Sequence, residues 1–75
     1  MDCNDINKGM KVKTTKLGKT IGLCIMEKHL SVREAGITGT VLNPVPGHGG
    51  DVWFVQHDNS EVVGAYIINE FEPAA

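Results

Sequence analysis

Asp51-Val52-Trp53-Phe54-Val55-Gln56-His57, Asp58-Asn59-Ser60-Glu61 and Val62-Val63-Gly64-Ala65-Tyr66-Ile67 are consecutive, and their reading decides the fold. The first run is rich in β-branched and aromatic residues, which suit a pleated strand, and it is apolar on both faces through its middle, which predicts an interior position in a sheet. The second run is made of turn formers, and the third returns the chain, so the three together predict a β-hairpin. With the turn at Asn59-Ser60, His57 is expected near Val62 and Tyr66 opposite Trp53. Successive strand side chains point to opposite faces, so of Trp53 and Phe54 one is expected in the core and its neighbour outward.

Outward from the hairpin the pattern stays mainly β. Downstream, Ile68-Asn69-Glu70-Phe71-Glu72-Pro73 fits a turn followed by a brief edge strand that Pro73 stops. Upstream, Asn43-Pro44-Val45-Pro46-Gly47-His48-Gly49-Gly50 is a loop, entered by a strand over Gly36–Leu42. Ser31 and Glu34 stand at capping-box spacing before Gly36, which predicts a short helical turn near 31–35. Thr20–Met26 places Ile21, Leu23 and Ile25 on one face and reads as a further strand, and Met10-Lys11-Val12-Lys13 alternates as a half-buried strand should. Residues 1–7 read as a flexible lead and 8–75 as the folded domain.

The 75 residues suffice for one core and no second. With 41% hydrophobic and 21% charged residues and a pI near 5.8, the composition is that of an ordinary globular domain. A core of this size supplies about 3–5 kcal/mol unless association, metal or disulfides add to it, which makes self-association an expectation. The apolar stretches Thr20–Met26 and Val62–Ile68 fall far short of the ~20 residues that span a bilayer. The acidic opening Met1-Asp2-Cys3-Asn4-Asp5 is unlike the basic start of a secretory signal, so a cytoplasmic location is expected. Cys3 and Cys24 then read as a free thiol and a small hydrophobe. All seven basic residues precede Glu34, and from there on only acids occur. Strands of opposite charge that meet when the fold closes would explain this division, with Lys11 and Lys13 facing Glu70 and Glu72.

The order of elements resembles that of SH3-like barrels, and Ala65-Tyr66-Ile67-Ile68-Asn69-Glu70-Phe71 is similar to their hairpin return, single turn and last-strand aromatic. The resemblance covers about Lys8 to Pro73 and implies a five-stranded barrel; it carries a fold, not an activity. Proline-rich-peptide binding by SH3 domains uses an aromatic, acidic first loop, whereas Thr14–Ala35 is basic and without aromatics. Type II dihydrofolate reductase is similar in length and opening, matched loosely by Gly9-Met10-Lys11-Val12-Lys13. Its Val-Gln-Ile-Tyr run corresponds to Val63-Gly64-Ala65-Tyr66, where glycine replaces the glutamine that holds the pterin. Tudor and KOW modules are similar in size but need an aromatic cage or a basic loop. The chain also looks like small proteins of phages and mobile gene cassettes, a likeness that implies no activity.

No two of His29, His48 and His57 stand at i,i+3 or i,i+4, so no metal site is expected, and no cofactor motif is present. Gly47-His48-Gly49-Gly50 precedes a strand rather than a helix, which argues against a phosphate loop. His57-Asp58 with Tyr66 forms the best polar cluster, with Asp58 read as stabilising its turn. Trp53, His57 and Tyr66 are therefore the candidate ligand or partner residues of a binding or assembly module that self-associates through an aromatic surface or a strand edge. The alternatives are a nucleic-acid surface built from Lys11, Lys13, Lys16, Lys19 and Lys28, and a small enzyme whose site lies between subunits.

Overall fold

The computed structural model describes residues 6–19 and 25–74. Five strands form one antiparallel sheet: β1 (Lys11–Thr14), β2 (Thr38–Pro44), β3 (Val52–His57), β4 (Val63–Ile67) and β5 (Phe71–Pro73), with a single helical turn α1 (Glu27–Leu30). Most of the strand expected at Thr20–Met26, together with Cys3 and Cys24, lies outside the described residues. Ile25 and Met26 lead into α1 without regular structure.

The hairpin forms as expected. Trp53 pairs with Tyr66, Val55 with Gly64 and Gln56 with Val63, and the His57 N–H donates to the Val62 carbonyl at 2.9 Å. β3 is interior, flanked by β2 and β4 in the order β4-β3-β2-β1-β5. Both of its faces are covered. Trp53 packs against a cluster built on Ile6, Val12, Val41, Val55, Tyr66 and Phe71, and Phe54 against a smaller one of Val45, Val52 and Ala65. Trp53 and Phe54 thus point to opposite sides and both are half-buried; the His29 ring, 4.9 Å from that of Phe54, covers part of the second face. Ile6, at the end of the expected flexible lead, belongs to the core.

β1 shows the alternation read from its sequence, with Val12 and Thr14 buried and Lys11 and Lys13 exposed. It lies beside the last strand, Lys13 opposite Glu72, as the charge division suggested. Lys11 and Glu70 depart from that expectation: Lys11 pairs with Asp58 at 2.8 Å, and Glu70 is turned inward against Arg33. The expected barrel closure is not found, since β4 and β5 are the two ends of the sheet. Side chains occupy the groups a closing strand would use. His29 Nδ1 takes the Val63 carbonyl at 2.9 Å, and Glu70 Oε1 accepts from the Ile67 N–H at 2.8 Å, so the outer edge of β4 is partly spent before any strand reaches it.

The helical turn is also displaced from the expected 31–35. It occupies Glu27–Leu30, and Ser31 is its C-cap rather than an N-cap. The Glu34 N–H that a capping box would give to Ser31 donates instead to the Tyr66 hydroxyl at 2.9 Å. A long-range partner has displaced a local one. Gly36 does adopt the left-handed conformation anticipated for it, with φ of 77°.

Candidate binding cleft at His57

The segment after α1 crosses the edge of β4 and is latched on two sides. Thr14 Oγ1 donates to the Glu34 carbonyl at 2.7 Å and accepts from the Ile37 N–H at 3.0 Å, while Tyr66 holds the Glu34 N–H from the sheet. This fixes Val32 and Glu34 opposite the β3–β4 turn. Between them lies a cleft of about 290 Å³, lined by Val32, Glu34, His57, Asn59, Ser60 and Val62. Val32 and Val62 supply apolar surface, and the other four supply hydrogen-bonding groups.

His57 is only 4% exposed, and Tyr66 behind it is fully buried. Their side chains meet at 2.9 Å between Nε2 and the phenol oxygen. Gly64 makes this possible: a Cβ there would stand 2.9 Å from Tyr66 Cε2 and 3.2 Å from His57 Nε2. Two proton arrangements satisfy the group. Either the phenol O–H donates to Nε2, or Nε2–H donates to the phenol, which then donates to the Glu34 carbonyl at 3.4 Å. Nδ1 is correspondingly a donor or an acceptor, and it has no partner among the described residues.

Burial holds the His57 pKa below its ordinary value, with the nearby Glu34 carboxylate opposing, so the ring is neutral at pH 7. Burial raises the Tyr66 pKa against the hydrogen bond with the Glu34 backbone and the pull of the Arg33 guanidinium. Asp58 is held low by the hydrogen bond from Lys11. Ser60 Oγ accepts from the Val62 N–H at 3.3 Å and makes no hydrogen bond to His57 among the described residues.

A second buried polar group backs the first. The Arg33 guanidinium carbon lies 5.5 Å from the centre of the Tyr66 ring, and Nη2 pairs with Glu70 Oε1, both side chains being almost wholly buried. Glu70 Oε2 accepts from the Gly18 N–H and Oε1 from that of Ile67. Arg33 Nε and Nη2 nonetheless lack a well-aligned hydrogen bond, so the Arg33–Glu70 contact acts as charge pairing.

Of the residues singled out from sequence, His57 and Tyr66 come together as a pair, while Trp53 serves elsewhere. Its indole N–H donates to the Gly50 carbonyl at 2.7 Å and pins the 45–51 loop. Tyr66, expected on an aromatic surface, has no surface to offer. Lys11 is spent on Asp58 and Lys13 stands opposite Glu72, so both lysines of β1 meet acids; Lys16, Lys19 and Lys28 are exposed. Among the described residues, no group of three or more His, Cys, Asp or Glu side chains is arranged to hold a metal, and no helix is long and apolar enough to cross a membrane. Sequence reasoning missed Arg33, Glu34, Gly64 and Glu70. The Ser31–Glu34 spacing drew attention to the right segment for a reason the tertiary structure replaced.

Protein-family models, curated proteins and solved structures were compared with the chain, and none matches it.

Proposed function

We propose that this chain is a small binding module whose ligand site is the cleft floored by His57. The observation that carries the reading is a ring nitrogen, His57 Nδ1, without a partner among the described residues, on a side chain that is 4% exposed and lines that cleft. Among the described residues the buried polar atoms without a partner are those of Arg33, so this nitrogen is open to the cleft, a polar group at the floor of a pocket. Such groups cluster at sites that bind. The apolar flanks and convergent polar groups of Val32, Val62, Asn59 and Ser60 support it further. The test is an amide-shift screen of the 15N-labelled protein against a library of small polar compounds. Hits should move Val32, Asn59, Ser60 and Val62 together and be lost in His57→Phe; a screen that leaves those four amides unmoved would sink the proposal.

Self-association is a second reading, supported by the half-exposed Trp53 indole and by β5, a three-residue edge strand that pairs only with β1 among the described residues. A strictly monomeric mass at micromolar concentration would remove it.

A further inference from the structure

We infer that the His57 cleft takes the cationic end of a lysine or arginine side chain presented by a protein partner, with its aliphatic stem lying between Val32 and Val62. This rests on the binding reading above and names the chemistry of its ligand. Glu34 is the one charged residue lining the cleft, and no basic side chain lines it among the described residues. The acids nearby are Glu61, exposed in the β3–β4 turn, and Asp58, whose carboxylate is already held by Lys11. Arg33, the adjacent cation, is turned inward onto Glu70 and the Tyr66 ring, so it neither fills the cleft nor cancels Glu34. An anion or phosphate would meet a carboxylate with no compensating base.

The remaining polar atoms suit a cation as well. When Nε2–H donates to Tyr66, the Nδ1 lone pair becomes available to the cleft, and the two internal arrangements of that proton let a ligand select this one. Asn59 and Ser60 add oxygen acceptors. The buried, neutral His57 is the feature that lifts this above a patch of surface acids, because an imidazolium there would repel the ligand. Lysine and arginine also carry the methylene stems that lie along apolar surface while the head stays polar, which matches two valines beside one carboxylate.

The experiment titrates the intact 15N-labelled chain at pH 7.5 and low salt with four probes: N-acetyl-lysine methylamide, N-acetyl-arginine methylamide, N-acetyl-norleucine methylamide and methylammonium chloride. The two basic amides should shift Ser60 and Val62 and bind about tenfold more tightly than norleucine, the margin expected of one charge-assisted hydrogen bond. Glu34→Gln should erase that margin while leaving the remaining amide pattern in place, since Thr14 and Tyr66 hold only the Glu34 backbone. Equal binding of norleucine would overturn the cationic ligand and leave the cleft as a binding site. Methylammonium binding as tightly as the amides would overturn the protein side chain. No shift from any probe would overturn this inference, while the compound screen still decides whether the cleft binds at all.

Discussion

Gly64 carries the clearest single-residue consequence. Its missing side chain is the space in which His57 and Tyr66 meet. Gly64→Ala should push the Tyr66 ring off His57 and lower stability by about 1–3 kcal/mol, the cost of overpacking, read as a fall in the urea midpoint. An unchanged midpoint would mean that the pair does not need this space. His57 itself makes stability depend on pH. Its pKa lies below the ordinary 6.5 in the folded chain, so between those two values the unfolded chain binds more protons. The stability that neutral His57 contributes is whole above about pH 6.5 and is lost as pH falls through that window. Urea midpoints measured from pH 7.5 down to 5 should therefore decline, and His57→Gln should remove that part of the decline. A wild-type profile that is flat or rises towards pH 5 would contradict the burial of the ring.

At the scale of elements, the segment from Glu27 to Ile37 shows a strong local signal overruled. Ser31 and Glu34 have the right spacing to cap a helix, yet Tyr66 and Thr14 take the Glu34 backbone groups from across the sheet. The helical turn forms one step earlier, with Met26 at its start and no side-chain cap. Ser31→Ala should consequently cost less than about 0.5 kcal/mol, below the ~1 kcal/mol of a lost cap. Tyr66→Phe removes the acceptor of the part-buried Glu34 N–H and the partner of the buried His57, and should cost about 1–3 kcal/mol. Thermal unfolding of the two variants side by side checks this; a larger loss in Ser31→Ala would restore the capping box. The strands needed no such competition. Alternation in β1 and the bulky apolar run of β3 agree with where the sheet places them, because a two-residue period and a fully covered interior strand impose themselves on the local sequence.

For the whole molecule, the decisive group is Glu70, a buried carboxylate that gathers Arg33, the Gly18 N–H and the Ile67 N–H from three parts of the chain. Removing it strands Arg33 without a counter-charge, so Glu70→Ala should destabilise by about 3–5 kcal/mol. Lys11→Ala, which breaks the exposed pair with Asp58, should cost less than about 1 kcal/mol. Added salt should leave the larger effect nearly intact, since buried charges are little screened; equal losses in the two variants would place Glu70 at the surface. The basic and acidic halves thus meet in three different ways: Lys13 faces Glu72 across paired strands, Lys11 reaches Asp58 in a turn, and Arg33 pairs with Glu70 in the interior. What the sequence determined by itself was the mainly-β class, the hairpin and its register, and the adjacency of the first and last strands, because these follow from side-chain period, turn chemistry and the charge of neighbouring residues. Only the tertiary structure decided that the sheet stays open at β4, that Tyr66 is interior, and that Glu34 and His57 share a cleft. These depend on polar groups far apart in the chain finding one another, His29 with Val63 and Glu34 with Tyr66, or on a glycine whose use lies in the atoms it admits, and no local pattern records either.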